Sequence, residues 1–190
     1  MAILKVFTRD LHLEQPETLV EAYQRGVDLV ATYAQLSERT IRPQVYWRYL
    51  ESAEMPGLEL ILSAQTSLLD SQPQTRVEST LPGGEVRLLS VTGKWLSDSS
   101  TDVPCGVLVR SPELSASYFE MVFPSDLSVG SVERQPQRVT IRRELFPERL
   151  EKGVVRRGRV RGVFLAQEQD EALALQAFER FVESPLVLST

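Results

Sequence analysis

Arginine is concentrated in one short segment near the end of the chain, VVRRGRVRGVFL at 154–165. If this segment is a β-strand, alternate side chains point to opposite faces, and Arg157, Arg159 and Arg161 lie in line on one face. Guanidinium groups in such a line could bind phosphate or another polyanion. The same pattern is typical of a solvated sheet face whose charges pair with carboxylates on a neighbouring strand. That interpretation needs no ligand, because rungs ~7 Å apart repel by only about 0.6 kcal/mol in water.

The segment RVTIRREL at 138–145 contains further arginines in a strand-like pattern. By the same alternation, Arg138 and Arg142 lie on its outward side. If this strand neighbours 154–165, five arginines share one surface and form a candidate site for an anion or a partner. Its residues are Arg138, Arg142, Arg157, Arg159 and Arg161. The net charge of −5 argues against nucleic acid as the partner.

Cys105 and His12 are the single cysteine and the single histidine of the chain. Together they could form a thiolate–imidazole pair for nucleophilic catalysis. Cys105 lies in VPCGVLV, however, which is typical of the start of a buried strand, and we predict a buried thiol without a catalytic role. The chain lacks the ligands of an ordinary zinc site, and TGKW at 92–95 lacks the spacing of a phosphate-binding loop. No metal, cofactor or catalytic residue is predicted.

The segment YWRY at 46–49 brings three aromatic side chains into one predicted strand. Alternation places Tyr46 and Arg48 on one face and Trp47 and Tyr49 on the other. An exposed aromatic side chain on a sheet could stack against a sugar ring or anchor a partner protein. Packing in the core explains the same pattern, because one face of a half-buried strand must be apolar. The sequence leaves both interpretations open.

Period-two patterns dominate the middle of the chain and predict a β-rich fold. Turn signals such as MPG at 55–57 and PGG at 82–84 separate the patterned segments. The predicted strands are 2–7, 44–51, 58–64, 85–95, 105–111, 118–123, 138–145 and 154–165. Short strands at this spacing favour an antiparallel sandwich or a strongly curved sheet.

Helical spacing of apolar residues occurs near both ends of the chain. Residues 16–36 are predicted to form a helix, with Pro16 at its start, and a strand over 27–36 is the alternative. FPERLEKG at 146–153 predicts one or two helical turns that end at a glycine.

The C-terminal helix is predicted over 168–183. One row of this helix contains Glu171, Leu175, Phe178 and Val182. The predicted fold class is α+β: mainly an antiparallel β-sandwich or curved sheet with an N-terminal helix and a C-terminal helix. The length of 190 residues fits a single domain, 1–190.

The run LFPERLEKGVVRRGRVRGVFL, with the ending AFERFVESPLVLST, resembles the C-terminal part of a group of uncharacterised bacterial proteins of the planctomycete type. In that group a similar arginine-rich block precedes a helix and a short tail. The resemblance covers about the last 45 residues of the chain. It implies that the arginine strand and the final helix recur as a unit, and it implies no activity or cofactor.

Composition favours a soluble globular protein, with 42% hydrophobic and 25% charged residues. No apolar run approaches the ~20 residues that span a bilayer, the N-terminal segment is not typical of a secretory signal, and a single cysteine suits a reducing, cytoplasmic setting.

The favoured function is a non-enzymatic binding or structural interaction domain, with a protein or a second copy of the chain as candidate partner. The alternatives are a hydrolase that uses scattered carboxylates, and anion or nucleic-acid binding through the arginine strand.

Overall fold

A computed structural model describes residues 1–8, 11–12, 19–35, 41–73, 75–97, 102–146 and 148–184. Most of the described chain is strand. The strands are β1 Ala2–Thr8, β2 Leu11–His12, β3 Leu19–Arg25, β4 Asp28–Tyr33, β5 Arg42–Leu50, β6 Gly57–Gln65, β7 Asp70–Ser71, β8 Thr75–Pro82, β9 Glu85–Leu89, β10 Gly106–Arg110, β11 Ser117–Val122, β12 Leu127–Gln135, β13 Arg138–Leu145, β14 Leu150–Glu151 and β15 Val155–Leu165. The single α-helix of the described residues is α1, Asp170–Glu183.

Two antiparallel sheets form a β-sandwich. The larger sheet has the strand order β3-β4-β5-β6-β15-β11-β10-β9, and the smaller has the order β12-β13-β8-β1-β2. A short third pair joins β14 to β7. β8 of the smaller sheet alternates buried and half-buried residues along its length, so it turns one row of side chains towards the larger sheet.

The core lies between the facing sides of the two sheets. Val77 of β8 belongs to the same buried cluster as Leu60 and Leu62 of β6. Further along β8, Leu81 belongs to a second cluster with Val107 and Val109 of β10. Because these side chains are fully buried, the hydrophobic effect holds the two sheets together.

Helix α1 packs on the opposite face of the larger sheet. Val109 points into the sandwich, so its neighbour Arg110 points to the other face, where both Arg110 and Ser117 reach Asp170 at the first turn of α1. The buried side of α1 contains Asp170, Ala174, Ala177, Phe178 and Phe181. The prediction of a C-terminal helix is confirmed. Of the row identified in the sequence, Phe178 is buried but Val182 is 37% exposed.

The predicted N-terminal helix is wrong. Residues 19–33 form the hairpin of β3 and β4, joined by Gly26 and Val27, and β4 pairs with β5. Gly26 has φ +61°, the conformation that a two-residue hairpin turn requires. The alternative prediction, a strand over 27–36, agrees with β4, which covers Asp28–Tyr33. Residue 36 lies outside the described chain. The apolar residues of this segment have a spacing that suits a helix, but a strand tolerates the same spacing, and pairing with β5 selects the strand.

The other predicted elements have mixed outcomes. The eight predicted strands correspond to β1, β5, β6, β9, β10, β11, β13 and β15, although β9 ends at Leu89. The helical turns predicted over 146–153 are wrong, because Leu150–Glu151 pairs with β7 and Gly153, at φ +82°, closes a turn. Strands β8 and β12 were not predicted. In the described part of the chain, no helix has the length and apolar character needed to cross a membrane.

Candidate binding site on the polar face of the larger sheet

The face of the larger sheet that lies on the side of α1 carries polar side chains along β4, β5, β6 and β15. We call this surface the polar face. Antiparallel register sets its side chains in rows that run across the four strands. One row contains Asp28, Arg48, Glu59 and Arg161, and another contains Thr32, Gln44, Ser63 and Arg157. The two rows are four residues apart along each strand, about 14 Å.

The first of these, which we call the paired row, consists of ion pairs. Both oxygens of Asp28 accept hydrogen bonds from Arg48, at 2.6 and 2.5 Å, and this contact raises the pKa of Arg48. Glu59 accepts a hydrogen bond from Arg161 at 2.8 Å. Glu59 is 1% exposed, and Asp28 is also buried. Each carboxylate therefore has a guanidinium partner in its own row, and the prediction that a neighbouring strand supplies a carboxylate is confirmed for Arg161.

Arg159 lies beneath the end of α1. Its guanidinium donates hydrogen bonds to the Phe181 carbonyl oxygen and to the Ser184 hydroxyl, at 3.0 and 2.9 Å, and is 3.9 Å from Glu59. Its charge centre also lies 4.5 Å from the centre of the Phe181 ring. The interpretation of these arginines as a solvated sheet face is wrong for Arg159, because α1 buries it completely. Burial lowers the pKa of Arg159.

A hollow lies at the other end of the same four strands, around the row of Thr32, Gln44, Ser63 and Arg157. We call it the polar hollow. It has a volume of about 220 Å³. Its described lining residues are Thr32, Arg42, Gln44, Ser63, Gln65, Val155 and Arg157. They come from two adjacent rows, since Arg42 and Val155 both stand opposite Gln65, one rung beyond the row of Gln44 and Ser63. A second hollow of about 320 Å³ adjoins it and shares Arg42 and Gln65.

A short chain of hydrogen bonds orients Gln44 at the floor of the polar hollow. The Tyr46 hydroxyl donates to Gln44 Oε1 at 2.7 Å, and Gln44 Nε2 donates to the Thr32 hydroxyl at 2.9 Å. Burial raises the pKa of Tyr46, Tyr23 adds to the increase, and Arg157 opposes it. Tyr46 therefore stays protonated at neutral pH and acts as a donor to Gln44.

Other side chains of the polar hollow have unused hydrogen-bonding capacity. Among the described residues, Arg42, Ser63 and Gln65 have no hydrogen-bond or ion-pair partner for their side chains. Ser63 is 8% exposed, so its side chain is largely shielded from bulk water. The described lining residues include no carboxylate and no imidazole. The hollow can therefore donate and accept hydrogen bonds, but these residues offer no ordinary general base.

The structure separates the five arginines of the predicted site. Strand β13, which carries Arg138 and Arg142, pairs with β8 and β12 of the smaller sheet and not with β15. Arg142 donates to Glu78 and Glu133, and Arg138 donates to Gln135. Of the three β15 arginines in the predicted site, only Arg157 lines the polar hollow.

The structure also places the thiol and a buried carboxylate. Cys105 is 4% exposed, as predicted, and burial raises the pKa of its thiol while Arg143 opposes the increase. The side chain of His12 lies outside the described part of the structure. Glu120 is fully buried between the sheets, where it accepts hydrogen bonds from Ser79 and Tyr118 and lies 3.7 Å from Arg143. This carboxylate is inaccessible to a substrate, which removes it as a hydrolase candidate.

Gly162 of β15 is required by the same buried cluster. A Cβ atom at this position would lie 2.2 Å from the Tyr118 hydroxyl oxygen, which packs against the glycine backbone and donates to Glu120. The glycines of the arginine strand therefore serve the sandwich interior on one face, while its arginines serve the polar face on the other.

Sequence reasoning missed most of the polar hollow. Arg42, Gln44, Ser63 and Gln65 stand at alternate positions of β5 and β6, so a period-two pattern of polar residues was visible in the sequence. The pattern alone could not show that these positions face one another, because their convergence depends on the order β4-β5-β6-β15.

Comparisons with known proteins show the fold. No family model matches the chain, and no curated protein matches it. A solved structure from Escherichia coli K12, of a protein proposed to be an aldose 1-epimerase, matches with a TM-score of 0.51 and 9% identity over 77% of this chain and 67% of that protein. A Klebsiella pneumoniae protein proposed to have the same activity matches with a TM-score of 0.54 and 8% identity, over 89% of this chain and 61% of that protein.

A third solved structure extends the likeness to another class of protein. A TPR-domain containing protein from Parabacteroides distasonis matches with a TM-score of 0.50 and 11% identity, over 79% of this chain and 35% of that protein. The chain thus spans less than two thirds of two of these three structures. At such low identities the likeness shows a shared β-sandwich fold and carries no activity with it.

Proposed function

We propose that the protein is a non-enzymatic saccharide-binding domain and that the polar hollow holds a polyhydroxylated ring. The observation that carries this proposal is the group of side chains on two adjacent rows, Arg42, Ser63 and Gln65, which have no polar partner among the described residues. Sugar hydroxyls both donate and accept hydrogen bonds. Amide, hydroxyl and guanidinium side chains provide the matching partners.

Aromatic side chains beside the hollow support the same ligand class. Tyr46 lies one rung from Gln44 on the polar face, and Tyr23 lies on the same face across β4, with 39% of its surface exposed. A tyrosine ring offers an apolar surface to the C–H groups of a sugar. Tyr46 is therefore the residue of the YWRY segment that we propose to stack against the sugar.

Two structural neighbours are proposed to be aldose 1-epimerases, and this agrees with a saccharide ligand. Epimerisation needs a general base and a general acid within reach of the sugar. The described lining residues have neither a carboxylate nor an imidazole, and the guanidinium of arginine keeps its proton in proteins. Binding without catalysis is therefore the function that we propose.

Saturation-transfer NMR and calorimetry with a panel of monosaccharides test the proposal. Gln65→Ala should weaken binding by about three- to tenfold, because one hydrogen bond contributes about 0.5–1.5 kcal/mol. Ser63→Val, which places a methyl group in the hollow, should weaken it further. Gln137→Ala is the matched control, since Gln137 is exposed in the turn between β12 and β13 of the smaller sheet. Equal losses in the control and the hollow variants would contradict the proposal, as would a panel without any ligand.

Polarimetry separates binding from epimerisation. We expect freshly dissolved α-glucose or α-galactose to reach anomeric equilibrium at the same rate with and without the protein. An acceleration that Ser63→Val abolishes would show that the hollow performs acid–base chemistry and would overturn the non-enzymatic assignment.

A further inference from the structure

Strand β3 forms one edge of the larger sheet, and within the described chain it pairs with β4 alone. All seven of its residues are exposed. The outer side of such a strand presents backbone N–H and C=O groups that can pair with another chain. We propose that β3 pairs antiparallel with β3 of a second copy of the protein, with Tyr23 on the two-fold axis. This proposal does not depend on saccharide binding.

The opposite edge of the larger sheet is closed by the chain itself. There the amide of Leu96 donates a hydrogen bond to the carbonyl oxygen of Leu88 in β9, at 2.8 Å. In the described part of the chain no such bond reaches the outer side of β3, and Val20 and Tyr23 are 60% and 39% exposed. An open edge with exposed apolar side chains favours association with another chain.

The register shows which backbone groups of β3 point away from the sheet. The amide of Tyr49 donates to the carbonyl oxygen of Val27 at 3.4 Å, so the odd-numbered residues from Val27 onwards bond to β5 and the even-numbered residues of β4 bond to β3. Those even-numbered residues stand opposite odd-numbered residues of β3. Ala22 and Gln24 are therefore left with their N–H and C=O groups directed outwards.

A two-fold axis at Tyr23 uses both of these outward-facing residues. Ala22 then stands opposite Gln24 of the partner subunit, and each such pair exchanges two hydrogen bonds. The same register places Glu21 opposite Arg25 of the partner subunit, and symmetry repeats this contact on the other side of the axis. An axis at Ala22 or at Gln24 would also join outward-facing groups, but it would place Glu21 opposite a tyrosine or a valine. Charge complementarity therefore selects the axis at Tyr23.

The side chains of Glu21 and Arg25 are available for these contacts. Both are exposed, and neither makes an ion pair or a side-chain hydrogen bond with another described residue. The carboxylate opposite Arg25 on β4 belongs to Asp28, which Arg48 already holds through two hydrogen bonds. Charges of one sign along an edge would repel a second copy, whereas two opposite charges at this spacing attract it.

Sedimentation equilibrium measures the association. We expect a reversible equilibrium between monomer and dimer. The average mass should approach twice that of one chain at concentrations on the order of 100 μM, because an interface built on one strand is small. A protein that stays monomeric over this range would overturn the proposal.

Charge reversal tests the register. Glu21→Arg and Arg25→Glu each turn two attractive contacts of the dimer into repulsive ones, so each should raise the dissociation constant by about tenfold or more. The double variant exchanges the two charges and restores both attractions. Its dissociation constant should return to within about threefold of the native value. A double variant that does not recover, or single variants that dimerise as the native protein does, would overturn the proposal.

Glu144→Arg is the matched control for Glu21→Arg. Glu144 is an exposed strand residue of the smaller sheet, and its substitution makes the same change in net charge. It should leave the dissociation constant within about twofold of the native value, because salt screens charges that lie far from the interface. A loss equal to that of Glu21→Arg would indicate a general charge effect and contradict the proposal. Thermal melts of each variant establish that it is folded.

A cross-link locates the axis independently of charge. Residues that face each other in a non-hydrogen-bonded antiparallel pair have Cα atoms about 4.5 Å apart, which suits a disulfide. Tyr23→Cys should therefore give a disulfide-linked dimer under mild oxidation at least about tenfold faster than Gln24→Cys, which faces Ala22 of the partner subunit. The native Cys105 is buried. Equal rates would overturn the proposed axis. Because these measurements use no sugar, their failure leaves the saccharide-binding proposal in place.

Discussion

The paired row and the polar hollow lie on the same face and the same four strands, yet their side chains are used differently. In the paired row, each buried carboxylate meets a guanidinium from an adjacent strand. In the hollow, the strands supply cationic and uncharged groups, and several of these have no partner among the described residues. Folding thus satisfies the first region internally and leaves the second with groups that suit a ligand.

The difference shows how little separates a structural polar row from a binding site. A shift of one rung between β6 and β15 would place Arg161 opposite Ile61 instead of Glu59, and the ion pair between Glu59 and Arg161 would be lost. Helix α1 adds to the contrast, because Phe181 covers Arg159 and Arg161 and reinforces the paired region. If the contrast is correct, substitutions in the paired row should lower the free energy of unfolding more than substitutions in the polar hollow.

The largest expected effect is the loss of Glu59. Glu59→Gln removes a buried carboxylate 2.8 Å from Arg161 and 3.9 Å from Arg159, and it leaves buried guanidinium charge without compensation. We expect the free energy of unfolding to fall by about 3–5 kcal/mol. Denaturant unfolding measures the change. Glu85→Gln, at the exposed partner of Arg110, should cost less than about 1 kcal/mol, and a similar cost at both sites would show that the paired row is not held by Glu59.

A second expected effect concerns the anchor of α1, which covers the paired row. Burial acts to raise the pKa of Asp170, but hydrogen bonds from Arg110 and Ser117 outweigh it and hold the pKa below its ordinary value of 3.8. The native state therefore releases this proton more readily than the unfolded chain. The stabilisation is complete above the ordinary pKa and is lost as the pH falls through the lower, native value.

Asp170→Asn tests this anchor. We expect the substitution to cost about 2 kcal/mol at pH 7, because it removes charge-assisted hydrogen bonds from Arg110, and to flatten the acid side of the stability profile. Thermal melts between pH 2 and pH 7 measure both effects. An unchanged acid slope in the variant would show that Asp170 does not anchor the helix by its charge.

The smallest effects come from one substitution made at two positions of β5. Arg48→Gln should cost about 1–2 kcal/mol, because Asp28 loses both hydrogen bonds of its ion pair while it stays buried. Arg42→Gln should change the free energy of unfolding by less than about 0.5 kcal/mol, since Arg42 is exposed in the polar hollow. Equal costs at the two positions would remove the energetic distinction between the paired row and the hollow.

Local sequence patterns were sufficient to predict most strands and the final helix. Period-two alternation located β5, β6, β13 and β15, and it placed Arg157, Arg159 and Arg161 on one face correctly, because side-chain direction in a strand is a local property. Cys105 was predicted to be buried for the same reason, since its flanking residues are apolar.

The remaining features could not be predicted locally, because they depend on which strands become neighbours. Residues 19–33 have a spacing that suits a helix or a hairpin, and pairing with β5 selected the hairpin. Arg138 and Arg142 share the pattern of the β15 arginines but belong to the other sheet. The burial of Arg159 under α1, and the convergence of Ser63, Gln65 and Arg157 around one hollow, arise from contacts between residues distant in sequence. Local patterns carry no record of strand order, so only the packed sheet distinguishes the paired row from the polar hollow.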